Sequence, residues 1–260
     1  MQHRALVTGG GKRLGRAMAL YLADRGYDVA VHYNGSVDAA GEVAEEIRGK
    51  GRRADAVQAD LLDAGQTETL VPRASEALGG PLTLLVNNAS IFEHDRLDTA
   101  TLESWDRHMA SNLRAPLFLT QAFAAQAPVA EQDEMDEPRA VALVINMIDQ
   151  RVRKLTPEFT TYTLAKAGLW TLTRTAAQAL APHVRVNGIG PGPTLQGARQ
   201  SESHFDSQRA ATIMSRGSNP ADITGALGYF IDAPAVTGQL LCVDGGQHLA
   251  WRTPDVVGVE

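Results

Sequence analysis

Apolar and polar positions alternate along the chain in blocks, and this alternation predicts the elements of the fold. Short apolar runs with the length and composition of buried strands lie at about 5–7, 28–33, 54–59, 82–86, 139–146, 184–189 and 239–243. Segments with helical periodicity lie between them, at about 13–25, 38–50, 66–78, 102–127, 162–180 and 221–231. Strands that alternate with helices, without an internal repeat or linker, predict one α/β domain over residues 1–260. Its core is a doubly wound parallel seven-stranded sheet with helices on both faces.

Residues 195–217 depart from this regular alternation. They are polar and mixed in composition, and their helical pattern is weak. A segment of this kind before the last helix suits a movable cover over a binding site. We therefore expect about 195–217 to form a substrate lid within the domain.

Composition narrows the class of protein. A chain of 260 residues is long enough to bury a substantial core. The formal net charge of -6 argues against a nucleic-acid surface, which needs a clustered basic patch. The acidic run from Glu131 to Glu137 is most simply a solvated loop. The seven histidines show no metal-ligand spacing, so we expect no metal site.

The compartment can also be predicted. Cys242 is the only cysteine, which rules out an intrachain disulfide and suits a reducing environment. The N-terminus begins with a strand-like apolar run and not with a signal peptide. No uncharged stretch is long enough to span a bilayer, so we expect a cytoplasmic protein without membrane contact.

A glycine-rich turn, Thr8 to Gly15, follows the first predicted strand and opens the first helix. Glycines let the backbone approach a pyrophosphate, and a helix N-terminus supplies unpaired N–H groups that bind it. Strand, turn and helix in this order predict the start of a Rossmann-like βαβ unit that binds a dinucleotide. Alternatively, the glycines only form a tight turn.

The end of the second strand indicates which dinucleotide binds. An acidic residue there accepts from the ribose 2′-hydroxyl of NAD and repels a 2′-phosphate. Here the sequence is His32-Tyr33-Asn34-Gly35-Ser36, with no acid before Asp38. Lys12 and Arg13 add positive charge nearby, and this favours NADP(H). Alternatively, His32 and Ser36 are merely turn residues.

Polar and aromatic residues follow the third and fourth strands. Asp60-Leu61 suits a contact with the adenine edge, although Asp60 could equally cap the following helix. Asn87-Asn88 could bond backbone and ligand together, or could be ordinary turn residues. Phe92 could be a stacking platform for a flat substrate, or could pack into the core.

Tyr162 and Lys166 lie four residues apart on a predicted helix, so they face the same space. A nearby ammonium favours the phenolate and lowers the pKa of a tyrosine from about 10. The pair is therefore a candidate proton-transfer group, unless the spacing is accidental. Asn112 lies inside another predicted helix, where a polar side chain needs a partner.

Taken in order, these pieces resemble the short-chain dehydrogenase/reductase family along essentially the whole chain. The matching pieces are Thr8-Gly9 through Gly15, Asn87-Asn88-Ala89, Asn112, Tyr162 with Lys166, Pro191-Gly192 and Asp244-Gly245-Gly246. The resemblance implies a nicotinamide-dependent oxidoreductase. Tyr162 would donate a proton, Lys166 would bind the nicotinamide ribose and lower the tyrosine pKa, and Asn112 would hold a water of the proton relay.

The same resemblance implies a set of cofactor contacts. They are Thr8, Gly9, Lys12, Arg13, Leu14, Gly15, His32, Tyr33, Ser36, Asp60, Leu61, Asn88, Ala89, Ser90, Lys166, Pro191, Gly192 and Thr194. Members of the family usually associate through the helices around Asn112 and Tyr162, so a homotetramer is also implied.

Two departures from the usual family pattern point to pteridine reductases, which the chain is similar to. Arg13 stands where a third glycine is usual, and Asp149 stands where a serine is usual. The shared pieces are Thr8-Gly9 with Lys12 to Gly15, His32-Tyr33 with Ser36, Asn87 to Ser90 with Phe92, Asn146 to Asp149, and Arg185 to Gly188. The middle loops and residues 195–217 do not match.

This closer similarity implies substrate contacts. Phe92 and the nicotinamide would sandwich a pterin ring, and Arg13 would lie near both the cofactor phosphate and the substrate. Ser90 would contact cofactor or pterin, and Asp149 would pair with Tyr162 in proton delivery.

The chemistry of Asp149 favours the same substrate. A serine would donate to a substrate carbonyl, whereas an ionised aspartate can only accept and would repel a developing alkoxide. A pterin offers ring and amino N–H donors, and reduction of its C=N bond needs a proton on nitrogen. Burial would raise the pKa of Asp149 and help it to pass that proton. Alternatively, Asp149 only caps a turn.

Three hypotheses of function follow. The favoured one is an NADPH-dependent reductase of a dihydropterin or a related flat heterocycle. The second is a carbonyl reductase of the same family, acting on a 3-oxoacyl thioester or another small ketone. The third is a dinucleotide sensor without catalysis, against which the set of Asn112, Tyr162 and Lys166 argues, because a sensor needs no proton donor.

Overall fold

The computed structural model describes residues 2–197 and 200–251. Seven parallel strands form one sheet in the order β3-β2-β1-β4-β7-β8-β9, which confirms the predicted doubly wound topology. The strands of the described residues are β1 (Arg4–Val7), β2 (Asp28–Tyr33), β3 (Ala54–Gln58), β4 (Leu84–Asn87), β5 (Glu131–Gln132), β6 (Pro138–Arg139), β7 (Ala142–Met147), β8 (Val184–Pro191) and β9 (Leu240–Val243).

Helices cover both faces of the sheet. They are α1 (Arg13–Asp24), α2 (Val37–Gly49), α3 (Ala64–Leu78), α4 (Leu102–Met109), α5 (Ala115–Gln126), α6 (Thr160–Leu180), α7 (Glu202–Ala210) and α8 (Pro220–Asp232). Successive side chains of a strand point to opposite faces, so each strand contributes to two cores. Ala5 and Val7 pack with α1, α2 and α8, whereas Leu6 packs with α3, α5 and α6.

The strand order reverses at β1, whose neighbours in the sheet are β2 on one side and β4 on the other. In open α/β sheets this reversal leaves a crevice beyond the carboxyl ends of the strands. The turn after β1 and the loop after β4 therefore meet at one place. These are the segments in which the sequence predicts cofactor and substrate contacts.

The helix predicted over 102–127 is interrupted. Residues Ala110–Arg114 form a π-helical turn between α4 and α5. Pro116, near the start of α5, has no N–H to donate to the carbonyl of Asn112, as a regular α-helix would require. Asn112 lies on this turn, and its buried side chain bonds outside its own helix.

The strand predicted over 139–146 is also shorter than expected. β7 begins at Ala142, and Pro138–Arg139 pairs instead with Glu131–Gln132 in an exposed antiparallel hairpin. Within the hairpin loop, the Asp133 carboxylate accepts from the backbone N–H groups of Met135 and Glu137, at 2.8 and 2.9 Å. The acidic run therefore forms a solvated turn that leads into the amino end of β7. The crevice lies at the opposite, carboxyl ends of the strands.

Candidate active site

A cleft of about 820 Å³ lies beyond the carboxyl ends of β1, β4, β7 and β8. Most of the predicted site residues line it. They are Gly9, Lys12, Arg13, Leu14, Gly15, His32, Asp60, Leu61, Asn88, Ala89, Ser90, Phe92, Asp149, Tyr162, Lys166, Pro191, Gly192 and Thr194. Four other predicted site residues, Thr8, Tyr33, Ser36 and Asn112, are not among the described residues of the cleft wall.

The turn after β1 is held by hydrogen bonds to the loop after β4. The buried Thr8 hydroxyl accepts from the backbone N–H groups of Asn88 and Ala89, at 2.8 and 2.9 Å. Asn88 donates its side-chain amide to the Thr8 carbonyl at 2.8 Å. Thr8, predicted as a cofactor contact, therefore lies behind the turn and joins the two loops.

Two glycines of this turn are required at their positions, one by its backbone conformation and the other by a close approach of the backbone. Gly9 has a φ of +61°, and a Cβ on Gly15 would lie 2.0 Å from the Gly9 carbonyl oxygen. Helix α1 starts here with no side-chain cap, and Arg13 to Gly15, its first residues, line the cleft. Uncapped N–H groups at a helix N-terminus suit a phosphate.

Gly15→Ala is expected to weaken NADPH binding by about 10-fold or more, because either the turn or α1 must move to admit the methyl group. Fluorescence titration with NADPH measures this. Gly41→Ala on α2 is the matched control, since nothing lies within 4 Å of a Cβ at Gly41. Equal affinities for both variants would contradict the packing argument.

His32 supports the turn from behind. Its Nδ1 accepts from the Gly9 backbone N–H at 3.0 Å, so the ring proton lies on Nε2, which donates to the Ala59 carbonyl at 3.0 Å. Burial lowers the pKa of His32 to about 4. A neutral ring with both nitrogens engaged supports the turn from within β2, so the alternative that His32 is merely a turn residue is wrong. Asn34, just past the end of β2, lines the cleft instead.

His32 is expected to make stability depend on pH. Between its ordinary pKa of 6.5 and its folded pKa of about 4, the unfolded chain binds a proton that the folded chain does not. The stabilisation is therefore present above pH 6.5 and is lost as the pH falls toward 4, by about 2 kcal/mol between pH 7 and pH 5. Urea denaturation of the wild type and of His32→Asn measures this, and an equal loss in both proteins would contradict the argument.

Asp60 and Leu61 line the cleft where the sequence predicts the adenine contact. The alternative that Asp60 caps the next helix is wrong. Asp63 caps α3 by accepting from the Gln66 N–H at 3.1 Å. The Asp60 carboxylate accepts locally from the Leu62 N–H at 2.9 Å.

Tyr162, Asp149 and Lys166 come together at the floor of the cleft. The Tyr162 hydroxyl donates to Asp149 Oδ2 at 2.9 Å, and the other carboxylate oxygen accepts from the Arg151 N–H at 2.7 Å. Asp149 therefore caps the short turn that follows it and also accepts a hydrogen bond from the Tyr162 hydroxyl. The ammonium of Lys166 donates to the Met147 carbonyl at 2.7 Å.

The pKa directions of this group correct one expectation. Burial and the neighbouring Asp149 carboxylate raise the pKa of Tyr162 well above 10, so the prediction of a lowered tyrosine pKa is wrong. Burial lowers the pKa of Lys166 to about 8, while the Asp149 charge opposes that shift. Burial also raises the pKa of Asp149. Tyr162 is thus a protonated donor at neutral pH, hydrogen-bonded to a carboxylate that protonates more readily than usual.

Asn112 finds its partner in the loop after β4. Its Oδ1 accepts from the Ile91 N–H at 2.9 Å, and its Nδ2 donates to the Ile91 carbonyl at 2.8 Å. Both ends of the amide are therefore engaged with one residue. Asn112 fixes the backbone immediately before Phe92.

Phe92 is half exposed at 53%, so the alternative that it packs into the core is wrong. Its ring stacks on Phe159 with 4.3 Å between centroids, and it meets the Tyr162 ring edge-on at 4.7 Å. Such a surface beside a proton donor suits a flat ring.

Several residues of the site were not predicted from the sequence. Phe159 is one, and Gln150, Arg151, Phe205 and Gln208 of the cleft wall are others. Phe205 and Gln208 belong to α7, so the 195–217 segment does border the cleft. The signal for Phe159 was its position three residues before Tyr162. Arg151 follows the recognised Asp149 by only two residues.

Arg13 links the turn to the start of that segment. Its guanidinium donates to the carbonyls of Leu195 and Gln196, at 3.1 and 2.8 Å. Arg13 also has a φ of +52°, a left-handed conformation that costs a non-glycine residue about 1–3 kcal/mol. The side chain is thereby held at the boundary between the glycine-rich turn and the 195–217 segment.

Metal-binding clusters and membrane-spanning helices are both absent from residues 2–197 and 200–251. That part of the chain contains no group of three or more His, Cys, Asp or Glu side chains placed to hold a metal. None of its helices combines the length and the apolar character needed to span a bilayer.

The sequence and the structure both resemble those of known dehydrogenases and reductases. Residues 3–206 match the model of the family described as short chain dehydrogenase. The structure is similar to that of FolM alternative dihydrofolate reductase 1 from Brucella suis, crystallised with NADP, at 43% identity and a TM-score of 0.90 over 98% of both chains. The chain belongs to the short-chain dehydrogenase family.

Other relatives act on carbonyl groups, according to their names. The chain is 31% identical over 254 residues to 3-oxoacyl-(acyl-carrier-protein) reductase FabG of Staphylococcus aureus, covering 96% of this chain and 99% of that protein. The angucycline C-6 ketoreductase LanV, crystallised with NADP, is 30% identical with a TM-score of 0.85, covering 95% of this chain and 96% of that one.

Proposed function

We propose that this protein is an NADPH-dependent reductase of a pterin ring, most simply at the dihydro level. The observation that carries the proposal is the hydrogen bond of 2.9 Å from Tyr162 to Asp149, beside the half-exposed ring of Phe92. The similarity to FolM alternative dihydrofolate reductase 1 supports it. Dihydrofolate contains a pterin ring, so a substrate of that class suits the aromatic face.

The cleft fits NADP(H). The glycine turn and the uncapped start of α1 suit the pyrophosphate, and Lys12 with Arg13 supplies positive charge for a 2′-phosphate. Asn34 stands in the wall at the end of β2, where NAD-binding proteins place an acid. Related structures were crystallised with NADP. When bound, the nicotinamide supplies the hydride.

The residues around the substrate then supply position and protons. Phe92 packs against one face of the pterin, and the Asp149 carboxylate accepts from its ring and amino N–H groups. The Tyr162 hydroxyl would give its proton to the ring nitrogen of the C=N bond that is reduced. After that transfer, the Asp149 carboxylate takes up a proton from solvent, which the pKa raised by burial favours, and passes it to the tyrosinate.

Lys166 and Asn112 complete the proposed relay. The ammonium of Lys166 is buried on the same face of α6 as Tyr162, where it can bind the nicotinamide ribose. Asn112 lies on the π-helical turn, with its side-chain amide engaged by Ile91. We therefore assign the relay water to the backbone carbonyl of Asn112, to which Pro116 cannot donate.

Reduction of an ordinary carbonyl is the second candidate. The similarity to FabG and to the ketoreductase LanV favours it. Against it stands Asp149, which offers a carboxylate where a forming alkoxide would lie. A regulatory protein that only senses the dinucleotide is a third and weaker candidate.

The test is NADPH oxidation followed by absorbance with dihydrobiopterin, dihydrofolate and a 3-oxoacyl thioester, each repeated with NADH. Turnover of the dihydropterins with NADPH, and little with NADH, is the expected result. Turnover of the thioester alone would replace the proposal with the carbonyl reductase. Binding of NADPH without turnover of a broad substrate panel would favour the sensor.

The proposal extends to assembly as a homotetramer through the helices around Asn112 and Tyr162. Leu117 and Phe118 on α5 and Leu164 on α6 are 42%, 39% and 50% exposed, which leaves apolar area for a partner copy. Light scattering after gel filtration measures the mass in solution. A monomer would contradict this part of the proposal.

A further inference from the structure

Arg151 brings a positive charge to the wall of the cleft, close to the proposed pterin position. It follows Asp149 by two residues, and its guanidinium carbon lies 4.9 Å from the centre of the Phe159 ring. Phe159 in turn stacks on Phe92, the proposed platform for the pterin. The guanidinium is therefore placed beside the aromatic pair, and Arg151 and Phe92 both line the cleft.

The charge of Arg151 has no acidic partner within ion-pair distance in the part of the chain that the structure describes. Its Nη1 donates to the neutral hydroxyl of Thr156 at 2.5 Å, and its buried Nε has no hydrogen-bond partner. Arg107, another arginine of the cleft wall, is paired with Glu93 at 2.9 Å. A buried donor without a partner is uncommon in folded proteins and calls for a ligand or another explanation.

Phe159, the ring that the Arg151 guanidinium contacts, is held in place by its surroundings. Phe159 adopts a φ of +61°, a conformation that is costly for a residue with a Cβ, and donates its N–H to the Asp95 carbonyl at 2.7 Å. The buried Asp95 carboxylate accepts from the Ser104 hydroxyl at 3.1 Å and from the Thr161 N–H at 3.2 Å. Backbone strain that is fixed by a buried network is typical of functional sites.

We propose that Arg151 binds an anionic group, a carboxylate or a phosphate, on the side chain of the pterin substrate, so that the enzyme prefers pterins with an anionic tail. This inference rests on the proposed function, because the pterin on Phe92 determines which end of the substrate meets Arg151. A planar guanidinium pairs with two oxygens of a carboxylate or phosphate at once, whereas a neutral tail offers no such partner.

Arg151 also acts on the proton-transfer group, since its charge opposes the rise that burial causes in the pKa of Asp149 and of Tyr162. Its removal therefore changes the turnover of every pterin. The ratio of kcat/KM for an anionic substrate to kcat/KM for a neutral one cancels this shared effect. That ratio is the quantity to measure.

The experiment compares dihydrobiopterin, with a neutral tail, against dihydrofolate, with carboxylates, and dihydroneopterin phosphate. Wild type, Arg151→Gln and Arg151→Lys are tested, with Arg153→Gln as the matched control. The Arg153 guanidinium lies 5.6 Å from the Trp170 ring centre, and Arg153 is not among the described residues of the cleft wall. We expect Arg151→Gln to lower the ratio by about 10-fold or more, mainly through KM of the anionic substrate.

The remaining results separate the possibilities. Arg151→Lys should retain part of the ratio, Arg153→Gln all of it, and added salt should reduce it in the wild type. Loss of preference for only one anionic substrate would identify carboxylate or phosphate as the group bound. An unchanged ratio in Arg151→Gln would overturn the inference and leave the proposed pterin reduction intact. If Arg151→Gln does not fold, the salt dependence of the wild-type ratio decides, and no effect of salt would overturn the inference. Failure of the wild type to reduce any pterin would overturn the proposed function itself.

Discussion

Tyr162→Phe is expected to lower kcat by about 10³-fold or more while NADPH binding stays within a few-fold of wild type. The substitution removes only the hydroxyl that donates to Asp149 and keeps the ring that packs edge-on against Phe92. Lys166, the neighbouring cation on the same face of α6, donates instead to the Met147 carbonyl. Steady-state kinetics together with NADPH fluorescence titration measures both quantities.

The control for this prediction is Tyr229→Phe. Tyr229 is 53% exposed on α8 and is not among the described residues of the cleft wall, so its hydroxyl should be dispensable. Turnover by Tyr162→Phe at a rate near that of the control would show that the proton comes from elsewhere.

Asp149→Asn is expected to lower kcat for a dihydropterin by about 10²-fold or more. The amide oxygen can still accept from the Arg151 N–H and keep the local cap, so the change removes the charge and the proton affinity of the carboxylate. Because burial raises the pKa of Asp149, the acidic limb of the wild-type pH profile should lie above the ordinary range of a carboxyl and should be absent in the variant. Kinetics across pH 4 to 9 tests this.

Asp149→Ser separates the two enzymatic hypotheses. A serine would donate to a carbonyl, so a carbonyl reductase should keep or gain activity on a 3-oxoacyl thioester. A pterin reductase should lose activity on dihydropterins, because one neutral hydroxyl replaces a carboxylate that accepts from two N–H groups and takes up a proton. Preserved dihydropterin turnover in this variant would contradict the role proposed for Asp149.

The sheet could be predicted from the sequence because buried parallel strands are short apolar runs with helices between them. All seven predicted strands are present, although their ends move by a few residues. The interruption at Asn112 was missed because hydrophobic periodicity continues through it. Pro116 was the local signal, since it removes one backbone donor from the helix.

The chemistry of the site was less predictable than its position. Helical spacing correctly placed Tyr162 and Lys166 on one face of α6, but it carries no information on burial. Burial and Asp149 reverse the expected shift in the tyrosine pKa. His32 shows the same limit, because its two hydrogen bonds, to Gly9 and Ala59, join segments that are distant in sequence.

The β5–β6 hairpin gives the protein a natural attachment point. Its turn, Asp133 to Asp136, is exposed and bonded mainly within itself, and it leads into the amino end of β7. The cleft opens at the other end of the strands. A peptide tag or a surface linker inserted in this turn would tether the enzyme to a bead or an electrode with the opening of the cleft facing the solution.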